Sequence, residues 1–414
     1  MKEGNKLEQS RVYRTVLSMS HPLYELLEAF CHESKNLYNY ANYLLRGRYK
    51  EKDDGLFNFY KLRKHIQSDT NEGNPWRRQA TTHIGAETLR TLANNWQSYF
   101  ASVQSYSKFP EKFKACPKQP GYLPKNGAFQ MVLDTDNFKF DGTTVRFPKS
   151  FGGLSIPFNK AERAYQVRVV PKTNHLVVEV VYRVVVPDAV MDNGRYMGID
   201  LGVSNFAAIT SNATGFQSLV VNGKGLQSAN QLYNKHRAHY QEISDRLGQG
   251  KTTNRLGNMA WKRNQRVNDF MHKASRYIAD IAKENNISHV VCGYNAEWKH
   301  EANLGRVTNQ KFVQIPYLKF VSLLRYKLAD HGIVLTLPEE SYTSKTSFLD
   351  GEYPEKRDGY AGKRKYRGLF VSGDGIKINA DVNAAYQAMK KVVPDAFGNG
   401  IAGVSLHPVK VNLA

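Results

Sequence analysis

Cysteine is almost missing from this chain: its 414 residues include three, Cys31, Cys116 and Cys292, far apart and in no CxxC arrangement. That scarcity argues against a disulfide framework and against a thiolate zinc site, and it points to a reducing compartment. Long apolar runs are missing too. None approaches the length of a membrane span, and the polar N-terminus is neither a signal peptide nor an obvious transit peptide, so no membrane partner is expected. Negative charge is in short supply, with 37 Asp and Glu against 58 Lys and Arg, a formal net charge of +21 spread along the whole chain. Such a balance points to a polyanionic partner ahead of mere solubility. The length and the 41% hydrophobic content suit two or three domains with substantial cores. No internal repeat is visible.

The pattern changes character along the chain. Arg11 to Ser18 alternates like a strand, and His21-Pro22 opens a long amphipathic helix with Leu23, Leu26, Leu27, Phe30, Leu37, Tyr40 and Leu44 at helical spacing. A second helix is predicted from about Trp76 to Val103 on Ile84, Leu89, Leu92, Trp96 and Phe100. From about Phe109 to Val186, Pro110, Pro117, Pro120, Pro124, Asp141-Gly142 and Gly152-Gly153 punctuate short alternating runs, which read as a small antiparallel barrel. Strands at Tyr196–Leu201, Phe206–Thr210 and Gln217–Val221 follow, then a basic helical region over 229–285. The remainder reads as a strand at Ile287–Cys292, a helix at Val313–His331, a strand at Ile333–Leu337 and a closing helix near Asp381. This order of strands and helices is that of a ribonuclease-H-like layer mixing antiparallel and parallel strands.

Two acids stand out. Asp200 ends the apolar strand Met197-Gly198-Ile199-Asp200, with Gly202 just beyond, and Asp381 opens the helix Asp381-Val382-Asn383-Ala384-Ala385-Tyr386. Each alone is more often a turn or cap residue. The apolar face Val382, Ala385, Tyr386, Met389 and Val392 packs the closing helix on the sheet and aims its first turn at one edge, where the two acids converge. Phosphodiester cleavage by two ions about 3.5–4 Å apart usually takes three or more carboxylates, so a third is required. All-oxygen ligands suit Mg2+, with Mn2+ as an alternative.

Met197–Gly202, Tyr342-Thr343-Ser344-Lys345 and Ile378–Tyr386 resemble the first RuvC motif, the TSK signature and the third RuvC motif of TnpB, the transposon-encoded RNA-guided nuclease related to type V CRISPR effectors and Fanzor proteins. The resemblance implies an α+β multidomain chain. Residues 1–20 supply the first strand of an antiparallel β-barrel wedge domain, 21–108 a helical recognition domain and 109–190 the rest of the wedge. Residues 195–340 begin a ribonuclease-H-like RuvC nuclease domain, 341–375 form a degenerate zinc-finger or lid insertion, 376–393 the closing helix and 394–414 a C-terminal tail. It implies a magnesium-dependent RNA-guided DNA endonuclease that cuts beside a short flanking motif, with Asp200 and Asp381 as its first and last catalytic acids. Its partners would be a guide RNA, transposon-derived omega RNA or CRISPR RNA, and target double-stranded DNA. Its location would be the prokaryotic cytoplasm at the nucleoid, or the nucleus in a eukaryotic relative.

The chain departs from the family pattern twice. The second RuvC motif usually ends its strand in Glu, but here the strand runs Val290-Val291-Cys292-Gly293-Tyr294. The neighbouring strand ends in Pro338-Glu339-Glu340, about 4.8 Å away in a parallel sheet, and a Glu can span that gap over Gly293. Glu340 ranks first as the relocated acid, Glu339 second and Glu297 third, since only one of the first two can face the site. Asp200, Glu340 and Asp381 are therefore the expected metal ligands. The family's zinc knuckle is also replaced, with Ser347 and Asp350 in its place, so no zinc is expected and a metal-free lid or an ordinary loop takes over.

The basic region, nearly devoid of acids, offers Lys235, Arg237, Arg255, Lys262, Arg263, Arg266, Lys273 and Arg276 to the phosphates of a guide–target duplex. Tyr38, Asn39, Tyr40, Asn42, Tyr43, Arg46, Arg77 and Arg78 are candidates for reading the flanking motif, some of them necessarily core. Two rivals remain: a nuclease-dead, RNA-guided DNA-binding repressor, and a guide-independent, structure-specific nuclease.

Overall fold

The alternating N-terminal stretch lies within an eleven-residue strand, β1 (Glu8–Ser18), in a computed structural model that describes residues 8–51, 55–79, 82–249, 253–294, 313–398, 400–401 and 403–413. The chain divides into two units, Glu8–Val185 and the part from Val186 onward. In the first, α1 (Tyr24–Lys50) and α3 (Thr82–Lys108) pack with a helix not expected from the sequence, α2 (Phe59–Ser68). The ten residues of α2 place Phe59, Leu62 and Ile66 on one buried face, with Asn58 as N-cap. Helix α3 starts later than expected because the side chain of Asn74 turns Pro75–Arg78 into a separate 3-10 turn. Trp96, fully buried at the centre of this core, donates its indole N–H to Asn42 Oδ1 at 3.0 Å.

The strands of this unit are β2 (Met131–Asp134), β3 (Lys139–Phe140), β4 (Thr144–Arg146), β5 (Ser155–Pro157), β6 (Ala164–Lys172) and β7 (His175–Val185). They form two antiparallel ladders, β1-β7-β6-β2 and β3-β4-β5, around one core. Phe158 ties the two together, its ring 5.7 Å from Tyr13, 5.5 Å from Phe140 and 5.2 Å from Tyr182. These are the strands that the sequence reading took for a small antiparallel barrel.

The second unit contains β8 (Tyr196–Leu201), β9 (Asn205–Ser211), β10 (Leu219–Asn222), α4 (Lys224–Arg246), α5 (Asn254–Glu284), β11 (His289–Cys292), α6 (Tyr317–Ala329) and β12 (Val334–Thr336). After these come β13 (Lys363–Tyr366), β14 (Leu369–Val371), β15 (Lys377–Asn379), α7 (Ala380–Val392) and β16 (Val409–Val411). Its sheet has the order β12-β11-β8-β9-β10-β16. Strands β8 and β9 pair antiparallel, as do β9 and β10, while β11 pairs parallel with both β8 and β12. That is a ribonuclease-H-like sheet. Residues 394–414, read as a tail, instead supply β16, which pairs parallel with β10. The 341–375 insertion is likewise structured, its β13 and β14 joining β15 in a small antiparallel sheet.

The faces of β8 explain how its acid is aimed. Met197, Ile199 and Leu201 enter the core shared with α5 and α6. Tyr196 packs instead with Tyr386 and Met389 of α7, and Gly198 lies so close to α7 that a methyl on it would sit 2.3 Å from the Ala385 carbonyl oxygen. By the alternation of a strand, Asp200 shares the α7 face. Gly198→Ala should push α7 away from the sheet and destabilise the protein by about 1–3 kcal/mol, the usual cost of overpacking, to be read from chemical denaturation. An unchanged midpoint would contradict the packing described.

Candidate active site and nucleic-acid surfaces

Three parallel strand ends form the floor of the site. Register places Cys292 beside Ile199, and the Gly293 amide donates to the Ile199 carbonyl at 2.9 Å, so Gly293 sits next to Asp200. On the other side, the Tyr294 amide donates to the Pro338 carbonyl at 3.1 Å, bringing the end of β12 alongside. The side chain of Glu340 then lies over Gly293: a methyl added to Gly293 would be 2.7 Å from its Oε1 and 2.9 Å from its Cγ. Glu339 is exposed, as the period of two requires. Glu297 lies outside the described residues.

The backbone around Glu340 is pinned. Its carbonyl accepts from the Thr343 hydroxyl at 2.9 Å, while the ammonium of Lys391, on α7, donates to the Glu339 carbonyl and the Ser341 hydroxyl, each at 2.9 Å. Thr343 therefore braces the segment that carries Glu340. On α7, Asn379 caps the helix by accepting from the amides of Asp381 and Val382. Asp381 then faces inward, its Oδ2 accepting from Asn205 at 2.7 Å and its Oδ1 from Arg364 at 3.2 Å.

The electrostatics record how near the acids stand. Burial and the charge of Asp381 push Asp200 well above the usual carboxylate range, with Arg364 opposing. Burial and Asp200 raise Glu340 to about 9. Both acids also raise the Cys292 thiol and the Tyr317 phenol, beyond the larger effect of burial. Glu340 Oε1 is buried and has no hydrogen-bond partner among the described residues. The three acids converge without yet forming one cage: among the described residues no three His, Cys, Asp or Glu groups stand ready as an ion's ligand set, and Asp381 is turned toward Asn205 and Arg364. A buried, unpartnered carboxyl oxygen beside a second carboxyl group is an all-oxygen donor pair of the kind that suits a divalent cation.

Asn205, Arg364 and Asn383 belong to this site although the sequence reading gave them no role there. Asn383 lies within the quoted Asp381–Tyr386 motif and ties α7 to the insertion, accepting from the Phe348 amide at 3.0 Å and donating to the Thr346 carbonyl at 2.9 Å. Within the 341–375 insertion carboxylates hold backbone amides: Glu352 accepts from Ser347 at 2.7 Å and Ala361 at 2.9 Å, and Asp350 accepts from Gly373 at 2.8 Å.

Among the predicted phosphate contacts, Lys235, Arg237, Arg255, Lys262, Arg266, Lys273 and Arg276 are exposed on α4 and α5. Arg263 is turned inward instead, its guanidinium donating to Asn230 at 2.8 Å and to the Gln314 carbonyl at 2.9 Å. Nor is this region nearly free of acids. Glu242, Asp245, Asp269, Asp280 and Glu284 lie on these helices, and Lys273–Asp269 and Arg276–Asp280 form pairs one turn apart. Arg255 stacks on Tyr240 with 3.7 Å to the ring centroid.

In the first unit Arg77 is exposed, and Arg78 pairs with Glu33 at 2.9 Å. Tyr38 and Asn42 are core residues, Asn39 is bonded to the backbone of Leu123, and Tyr40 donates to Asp69. Tyr43 and Arg46 remain at the surface, lining a 520 Å3 cavity with Arg48, Gln119 and Tyr122.

The raised pKa of Glu340 has a measurable sign. Its folded value, about 9, exceeds the ordinary 4.5, so its contribution to stability is complete below about pH 4.5 and is lost as pH rises through about 9. In chelator, denaturation midpoints measured across this window should fall less steeply for Glu340→Gln than for the parent. Equal slopes would show that Glu340 is not held protonated.

Comparison with known proteins agrees with this architecture. A family described as a probable transposase (OrfB_IS605) matches residues 179–299, and one described as Cas12f1-like, TNB domain matches residues 317–388. "Putative transposase A625R" of Paramecium bursaria Chlorella virus 1 is 25% identical over 279 residues, covering 65% of this chain; the aligned part spans 61% of that relative. Among solved structures, Cas12f1 in its complex with sgRNA and target DNA superimposes with a TM-score of 0.58 at 15% identity, over 88% of this chain and 82% of that one. That likeness is one of fold. The chain is thus similar to OrfB_IS605 transposases over residues 179–299 and to the Cas12f1-like TNB domain over residues 317–388, on a fold shared with Cas12f1.

Proposed function

We propose that the protein is an RNA-guided DNA endonuclease with a magnesium-dependent RuvC site made by Asp200, Glu340 and Asp381. The observation that carries this reading is the placement of Glu340 over Gly293, beside Asp200, where the empty position of the second motif needs an acid. The likeness to a Cas12f1 solved with sgRNA and target DNA supports a guide RNA and a DNA target as partners.

In this reading the three carboxylates hold two Mg2+ ions, or Mn2+. Bound there, the ions would activate the attacking water and stabilise the leaving oxygen. The protein's own residues do the rest. Glu340 and Asp200 give up protons to solvent as the site loads, so metal affinity rises with pH. Lys235, Arg237, Arg255, Lys262, Arg266, Lys273 and Arg276 bind phosphates of the guide–target duplex. The exposed hairpin strand Lys363–Tyr366 lies beside Asp381, where a lid would contact the strand being cut.

The test is cleavage of guide-matched DNA by the purified ribonucleoprotein in Mg2+. Glu340→Ala should lose at least about 100-fold in rate while retaining guide and target binding, and Glu339→Ala should cut like the parent. Full activity of Glu340→Ala would eliminate the relocated acid. A parent that binds guide and target but never cuts is the repressor, and one that cuts without a guide is the structure-specific nuclease.

A further inference from the structure

The two oxygens of Asp381 are held by partners of different kinds. Oδ2 takes the 2.7 Å bond from Asn205, and Oδ1 the longer, 3.2 Å bond from Arg364. Asn205 opens β9, in a turn braced throughout its length. Gly202 lies so near that a methyl on it would be 2.5 Å from the Asn205 carbonyl oxygen. The Tyr317 hydroxyl donates to the Gly202 carbonyl at 2.8 Å, the Gly202 amide donates to Phe206 at 3.1 Å, and the amide of Gln227 reaches the Val203 carbonyl at 2.6 Å and the Ser204 hydroxyl at 3.2 Å. Arg364 is braced only within its own hairpin, where its guanidinium also donates to the Arg367 carbonyl. It lies on a four-residue strand exposed at every position, and its side chain is 38% exposed.

We propose that Asn205 is a positioning residue that fixes Oδ2 of Asp381 and so presents Oδ1 to the metal, while Arg364 is an exchangeable charge that occupies Oδ1 until an ion displaces it. The inference rests on the metal-dependent reading above and adds to it. A neutral amide leaves the carboxylate's charge intact, so Asn205 can orient the ligand without competing for it. A guidinium on Oδ1 and a divalent ion on Oδ1 exclude each other. Loading of the site and release of the β13–β14 hairpin are then one linked equilibrium, and each favours the other. The arrangement also accounts for the open cage, since the acid missing from the ligand set is the one whose free oxygen Arg364 holds.

The experiment is Mn2+ binding to the full-length protein without DNA, with free Mn2+ followed by electron paramagnetic resonance. Asn205→Ala should weaken binding by roughly 10-fold or more, the usual effect of losing a hydrogen bond to a metal ligand. Arg364→Gln should strengthen it by roughly two- to fivefold, the worth of a partly exposed ion pair. The opposite signs separate positioning from a general loss of structure, and thermal melts in chelator should show both variants folded. If Asn205→Ala does not fold, Asn205→Ser replaces it in the same comparison. Unchanged affinity in the Asn205 variant, with Asp381→Asn having lost binding, overturns the positioning role alone. Affinity lowered by Arg364→Gln overturns the exchange. Unaltered binding by Asp381→Asn overturns the metal site and this inference with it.

Discussion

Carboxyl groups held close together in a dry corner shape the second unit. Asp200, at the end of β8, and Glu340, just past β12, face each other across a glycine, and each is raised by burial and by a neighbouring carboxylate. Without a cation, such a pair keeps protons that water would remove. The surrounding structure is arranged to hold them there anyway. Gly198 admits α7 against the sheet, α7 delivers Asp381 from one side, and Lys391 and Thr343 pin the segment that carries Glu340. The stability gained elsewhere, in the apolar faces of β8, α5 and α6, offsets this local repulsion.

Much of this was legible in the sequence, for identifiable reasons. Strand β8 was readable to the residue because its six positions are apolar but for Asp200, the last but one. The period of two meant that only one of Glu339 and Glu340 could face the site, and the spacing from Thr343 favoured Glu340. Helix α2 escaped notice because ten residues rich in Lys and Arg show only three apolar positions. Strand β16 was invisible since Val409-Lys410-Val411 is too short to signal a strand, and its partner β10 lies far earlier in the chain. Arg263 looked like its exposed neighbours, and only tertiary structure turns it toward Asn230 and Gln314. Asn205 and Arg364 could not be assigned at all, because their role depends on which oxygen of Asp381 each one meets.

The insertion shows a second way to close a knuckle. A tetrahedral thiolate site crosslinks two turns through one ion. Here Glu352 accepts from the amides of Ser347 and Ala361 on either side of it, Asp350 accepts from that of Gly373, and Asn383 fastens the result to α7. Hydrogen bonds from amides to carboxylates are strong when shielded from water, and Glu352 is only 7% exposed. The small sheet of β13, β14 and β15 therefore has an anchored base and an exposed outer strand, which suits a segment that must stay attached while its edge moves.

The space over Gly293 is a single berth. Its α-hydrogen faces the carboxylate of Glu340 so closely that any side chain at 293 would push that carboxylate aside. An acid can be rooted at 293 or reach in from 340, but the two arrangements cannot coexist. A lineage passing from one to the other must therefore change both positions together, or cross a stage with either a crowded site or a vacated one. Position 293 and position 340 thus share one space, reached from two strands.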